Sequence, residues 1–217
     1  MKGLTKMTAA PVDFAHRVTS DAVRHRRRGE ALEGAIYDAV VDELAEIGYA
    51  AFTIESVAAR AHTGKASIYR RWPTKQDLVV AAFCAKAGEA FDLVGSATTA
   101  ATTTRDALVH VGQRICGLVR GGVGEALRAV GAESSRDAEL AAALDARVGC
   151  PKREALLGVL QRGVARGEVR PEAADELFAE VLPAMLLTRL IVQGLPVSDE
   201  HVVRVVDDIV MPLLRPA

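Results

Sequence analysis

Apolar residues recur three and four positions apart through most of the chain, and this spacing predicts a succession of amphipathic helices. Between Glu30 and Ile47 the stripe is Leu32, Ile36, Val40, Leu44 and Ile47, while Glu33, Asp38, Asp42, Glu43 and Glu46 fill much of the remaining surface. Gly48 ends that helix, and Tyr49 and Phe52 are suited to lock it against two short helices further along. Ile54, Val57, Ala58 and Ala61 make the first of these, with Thr53 as N-cap and Glu55 in the first turn, where the helix dipole favours an anion. His62, Thr63 and Gly64 interrupt the pattern, Gly64 being expected to supply the backbone freedom of a tight turn. Lys65 to Trp72 is the second short helix, stopped by Pro73. Thr74 to Asp77 has the Ser/Thr-x-x-Asp/Glu form of a new start, and Leu78, Val79, Ala82, Phe83, Ala85 and Ala90 carry a longer helix to about Val94.

Gly95 to Thr104 reads as a small polar connection, after which Thr103 to Asp106 opens a helix with Leu108, Val111, Ile115, Leu118 and Val119 on one side. A short helix from Glu125 to Val130 comes after Gly121-Gly122-Val123-Gly124, and another begins after Ser134. The step at Gly149-Cys150-Pro151 is expected to interrupt it, with Pro151 as the first residue of a helix ending at Gly167. From Glu172 to Gln193 the apolar positions cover well over half the circumference, and a final helix repeats this with Val202, Val203, Val206, Ile209, Val210, Leu213 and Leu214. So wide an apolar surface on a terminal antiparallel pair predicts that two copies pack there as a four-helix interface, with Leu182, Leu186, Leu190, Val202, Val206, Ile209 and Leu213 in the contact. A purely intrachain core is the competing reading.

Composition strengthens the all-α expectation and narrows the chemistry. Among 217 residues only 4% are aromatic, and alanine and leucine dominate. Net charge is −1, yet Thr53 to Lys75 holds Arg60, Lys65, Arg70, Arg71 and Lys75 against the single acid Glu55, a local balance of +4. Two short helices, a tight turn and this cluster of cations and donors together read as a DNA-reading helix-turn-helix, the competing reading being a solvated basic face on an ordinary helical hairpin. Residues 1 to 28 lack sustained periodicity and carry Arg17 and the run Arg24-His25-Arg26-Arg27-Arg28. They read as a flexible basic arm, either a solubilising tail or a segment lying on phosphates or in the minor groove.

The glycines at 121, 122 and 124 come after a predicted helix rather than a strand, which excludes a dinucleotide fingerprint. There is no His-Glu-x-x-His, Gly-x-Ser-x-Gly or P-loop, and His16, His25, His62, His110 and His201 are scattered, so neither enzyme, cofactor nor metal site is expected. Cys84, Cys116 and Cys150 are odd in number and far apart, which fits a reducing cytoplasm. The polar start, interrupted by Pro11 and Asp13, gives no signal peptide, and no apolar run approaches membrane-spanning length.

Phe52 to Lys75 resembles the DNA-binding region of the tetracycline-repressor (TetR) family. The residues that carry the likeness are Thr53, Val57-Ala58-Ala59-Arg60-Ala61, Tyr69-Arg70-Arg71-Trp72 and Pro73-Thr74-Lys75, within a match extending from Glu30 to Ala81. The family turn commonly reads Gly-Val-Ser where this chain has His62-Thr63-Gly64. The resemblance implies a three-helix DNA-binding domain over residues 29 to 77 and a ligand-binding and dimerisation domain over 78 to 217. It further implies a homodimeric repressor released from a palindromic double-stranded operator by a small-molecule effector.

For DNA the candidate residues are Thr53, Thr63, Lys65, Ala66, Ser67, Tyr69, Arg70, Arg71, Thr74 and Lys75. Lys65, Ser67 and Arg70 are expected at base edges, and Thr53, Tyr69, Arg71, Thr74 and Lys75 on phosphates. For an effector they are Phe83, His110, Gln113, Arg128, Met185 and Arg189. Two alternatives are a thiol-responsive regulator, since Cys150 beside Pro151, Lys152 and Arg153 is placed for a lowered pKa, and a DNA-binding protein that takes no ligand.

Overall fold

The computed structural model describes residues 14–100, 103–120 and 122–216, with side chains over 29–88 and from 103 onward. The regular structure of the described residues is all helical, with no strand, and no described helix is long and apolar enough to cross a membrane. The chain divides into two compact units, Met1–Ala35 and Ile36–Ala217.

In the first unit the helix α1 (Phe14–Ala51) has already begun. Residues 14–28, expected to be an arm, are therefore helical in backbone; residues 1–13 lie outside the described set, as do the side chains of Arg24 to Arg28. Helix formation needs no amphipathic stripe, so periodicity alone sets its start too late.

The second unit opens with the remainder of α1, which Gly48 breaks at φ 74° and ψ 171°. The helices α2 (Ile54–Arg60) and α3 (Lys65–Tyr69) then pack on it. Ile36, Val40, Leu44, Val57, Ile68 and Leu78 are fully buried between them, each such side chain contributing roughly 1.5–3 kcal/mol. Ile47, placed on the stripe by spacing, is 43% exposed, one residue ahead of the break at Gly48.

α4 (Lys75–Ala100) leads out of this group and runs past Gly95, so the expected polar connection begins later than its composition indicates. Beyond it come α5 (Thr104–Leu118), α6 (Gly122–Ser134), α7 (Ala138–Leu144), α8 (Cys150–Ala165), α9 (Glu176–Leu187), α10 (Asp199–Val205) and α11 (Met211–Leu214). α7 and α8 are joined through a π-helical turn, Asp145–Gly149, rather than broken at Gly149. Pro151 has no N–H for the carbonyl of Arg147, and the Cys84 thiol donates to that carbonyl instead at 3.2 Å. Two further π turns occur, Thr188–Val192 after α9 and Val206–Val210 just ahead of Pro212.

α5 lies at the centre of the C-terminal core, with Leu108, Val111 and Ile115 packed among Leu156, Leu160, Leu182, Leu186, Val202, Val206 and Leu214. Its Gly112 permits close approach: a Cβ there would stand 2.5 Å from Val202 Cγ1. Leu182, Leu186, Val202 and Val206, assigned above to a dimer contact, thus belong to the interior of their own chain, all at most 1% exposed. The broad apolar coverage of α9 to α11 is spent first against α5. What remains outward is a smaller set, Leu177 at 70%, Val192 at 78%, Leu195 at 45%, Ile209 at 38% and Leu213 at 43% exposure, with Leu190 half-buried.

Candidate functional site

Thr53 caps α2, its hydroxyl accepting from the Ser56 amide at 3.1 Å, and Ser56 Oγ returns a bond to the Thr53 carbonyl at 2.8 Å. Arg60, at the other end of α2, donates from Nε to Glu43 at 2.8 Å and from Nη2 to Glu46 at 2.5 Å, both on α1. Glu43 is buried, so this bond answers a charge that would otherwise lack a partner. One of the five local cations is therefore structural.

The turn from α2 to α3 differs from expectation in which residue takes the strained conformation. Gly64 is an ordinary extended N-cap at φ −81° and ψ 138°, whereas His62 stands in the left-handed region at φ 50°. A left-handed non-glycine residue costs about 1–2 kcal/mol. His62→Gly is expected to raise the unfolding free energy by about 1 kcal/mol, net of the added chain entropy; a denaturant titration showing no gain would remove strain from the account.

α3 buries Ile68 completely and, just beyond it, Trp72, whose ring meets Tyr37 edge-on at 5.5 Å. This anchoring turns Lys65, Ala66, Tyr69 and Arg70 outward, with Thr63 and Ser67 half-buried beside them. Arg70 is exposed, and its guanidinium is bonded to no described residue. Lys65 Nζ is 3.6 Å from Glu55 in an exposed pair that a phosphate can displace. Arg71 folds back to donate to Ser67 Oγ at 3.0 Å and to the Ser67 carbonyl at 3.2 Å, so it occupies the hydroxyl expected at a base edge.

Thr74 and Asp77 form a reciprocal cap: Asp77 accepts from the Thr74 amide and hydroxyl, and the Asp77 amide donates to Thr74 Oγ1. Lys75, expected on a phosphate, is turned inward. Its ammonium donates to the Tyr49 carbonyl, beside the break at Gly48, and lies 4.2 Å from the Tyr49 ring centre and 5.5 Å from that of Phe52. Burial lowers its pKa, an effect the nearby Glu133 opposes.

A cavity of about 280 Å³ lies between α4, α5, α6, α8 and α9. Phe83, Ile115, Leu118, Leu127, Leu156 and Leu187 contribute to its apolar wall. Through Lys86, Leu118 and Val123 it adjoins a wider, more open and more polar space of about 670 Å³ bordered by Asp38, Asp42 and Arg114.

Two family models match this chain: "Bacterial regulatory proteins, tetR family" over residues 36–82, and "Tetracyclin repressor-like, C-terminal domain" over residues 100–209. The chain belongs to the TetR family. It is a DNA-binding transcriptional regulator of the helix-turn-helix type. A relative from Mycobacterium tuberculosis named an HTH-type transcriptional regulator is 34% identical over 79% of this chain and 82% of its own length. Another, from Mycobacteroides abscessus and named DNA-binding transcriptional repressor TetR, is 32% identical over 87% of this chain and 97% of its own length. Among solved structures, the fatty acid degradation regulator FadR from Bacillus halodurans superimposes with a TM-score of 0.69 at 20% identity, covering 84% of this chain and 94% of that one. FadR from Bacillus subtilis, solved in complex with stearoyl-CoA, gives 0.68 at 18% identity over 83% and 96%.

Within this TetR-family chain the ligand residues read from sequence are only partly brought together. Phe83 lines the cavity. His110, Gln113, Arg128, Met185 and Arg189 do not: Arg128 lies 3.8 Å from Glu125, Met185 packs on the core, and Arg189 donates to the Pro196 carbonyl at 3.2 Å. His110 Nε2 and Arg114 Nε are buried without hydrogen-bond partners among the described residues. Lys152 is the lining residue most easily overlooked. Its signal is the spacing Val148, Lys152, Leu156, one face of a helix on which a cation stands between two apolar residues. Cys150 is half-buried, its sulfur accepting from Arg153 Nη2 at 3.0 Å and lying 3.7 Å from Asp145 Oδ2.

Proposed function

We propose that this TetR-family regulator is a cytoplasmic repressor that binds a near-palindromic operator as a homodimer and leaves it when a small molecule fills the cavity behind α4. The observation that carries the reading is the placement of α4. It starts at Lys75, directly after α3 and its anchoring Trp72, and about 12–18 Å further on lines the cavity with Phe83, Lys86 and Ala87. A ligand with different affinity for two positions of α4 would shift the balance between them and with it the spacing of the paired α3 helices.

On the DNA side, Arg70 and Lys65 are the proposed readers of base edges. Tyr69, Thr53, Thr63 and Thr74 would contact the backbone, with Ala66 permitting close approach and Ser67 held by Arg71 at the groove edge. Residues 29 to 77 act as the DNA-binding domain and 78 to 217 as the effector and dimerisation domain. The relative named a repressor supports the sign of regulation.

The test is a titration of the DNA flanking the protein's own gene, and of random duplex, across a salt series. Specific binding should exceed random binding by about 10³-fold or more, and its logarithm should fall linearly with log salt. Equal affinity for both duplexes would refute the operator reading.

A further inference from the structure

The charges around the 280 Å³ cavity are not evenly partnered. Lys86 is held by Asp38 at 2.7 Å. Arg153 is held by Asp145 at 2.7 Å and lies 3.7 Å from Glu180, the acid among the lining residues. Lys152 also lines the cavity, and among the described residues its ammonium makes neither a hydrogen bond nor an ion pair. Removal from water depresses its pKa, and the neighbouring Arg153 adds to the effect, with Asp145 acting the other way. An unpaired cation facing an apolar chamber costs free energy unless something anionic answers it. The remaining wall, from Phe83, Ile115, Leu118, Leu127, Leu156, Pro183 and their neighbours, offers an occupant only apolar contact.

We infer that the effector is a small apolar carboxylate whose acid group pairs with Lys152 while its hydrocarbon part fills the chamber beside Phe83 and Leu156. This rests on the effector reading above and narrows it to a chemical class. At about 30 Å³ per water-sized group, the chamber takes roughly nine such groups, the scale of a medium-length aliphatic or an aryl-alkyl acid. A bulkier molecule would extend past Lys86 and Leu118 into the open polar space. The carboxylate gains a charge-assisted hydrogen bond that an amide makes only weakly, and an amine in the same place meets like charge.

The experiment uses the full-length protein and displacement of the neutral apolar dye N-phenylnaphthylamine. Octanoate and phenylbutyrate are compared with their amides and amines, on wild type, Lys152→Met and Lys152→Arg. The acids should bind wild type roughly tenfold or more tightly than the amides and amines. Lys152→Met should bring the acids down to the level of the amides, and Lys152→Arg should keep the preference. The wild-type comparison stands even if Lys152→Met is poorly folded. Amides or amines binding as tightly as the acids would overturn the carboxylate assignment. A preference for acids that survives Lys152→Met would overturn the role of Lys152. If the dye binds but no acid displaces it, the proposed class fails and the effector cavity stands; if the dye does not bind either, both fail.

Discussion

A chain carrying Ile209→Glu and Leu213→Glu is expected to be monomeric and to bind a two-half-site operator roughly 10²- to 10⁴-fold more weakly than the unmodified protein. The size of the effect comes from effective concentration: once one recognition unit of a dimer is docked, the second binds as an intramolecular event, and separation forfeits that gain. Both residues stand on the last helical segment with large apolar side chains open to solvent, 38% and 43% exposed. Glutamate at an exposed position leaves the chain's own core intact but cannot be covered by an apolar partner surface. Sedimentation should report a single-chain mass, while affinity for an isolated half-site should hardly change. A dimer of unaltered affinity would place the interface on another face. The same charges at Val206 or Leu186 would be uninformative, because both are fully buried within their own chain and the variant would unfold.

Arg70→Ala should cost about 1–3 kcal/mol per half-site and relax sequence preference at one base pair in each, as expected of a guanidinium bidentate to guanine O6 and N7. Trp72 and Ile68 hold the end of α3 against the core, so the exposed Arg70 is presented from a fixed base. Its removal should therefore leave thermal stability unaltered. Lys75→Ala should behave in the opposite way. Its ammonium closes the carbonyl at Tyr49 and lies against two aromatic rings, so truncation should destabilise the helix-turn-helix without selective loss at any base pair. Competition assays on operators mutated at each position distinguish the two, and equal loss of sequence preference from both variants would show that reader and support are wrongly assigned.

Most of the secondary structure was legible because it is encoded locally. Thr53 and Thr103 cap helices with a side-chain oxygen where the sequence places their starts, because a hydroxyl before an apolar period is readable without tertiary knowledge, whereas Asp137 and Asp175 cap α7 and α9 a few residues beyond the starts read after Ser134 and at Glu172. The helix-turn-helix was legible for the same reason, since its turn, donors and stop fall within 23 consecutive residues. Where two conformations are locally allowed, sequence chose less well. Gly64 could have taken the left-handed turn, but packing of α2 against α3 assigns it to His62, the position where the family commonly has glycine.

The sequence by itself determined the all-helical class, the membership of the TetR family and the position of the helix-turn-helix. It did so because periodicity, caps and a short contiguous motif are enough to specify all three. Tertiary structure decided which of several chemically equivalent residues perform which task. Arg60 and Lys75 carry the same positive charge as Arg70, yet one is consumed by Glu43 and Glu46 and the other by the Tyr49 carbonyl. Leu186 and Leu213 are the same side chain on neighbouring segments, yet one is interior and the other outward. The cavity wall draws on α4, α5, α6, α8 and α9, more than a hundred residues of chain, and no pattern along the sequence records which faces of distant helices meet. Burial and charge pairing depend on distance in space, and only the fold sets those distances.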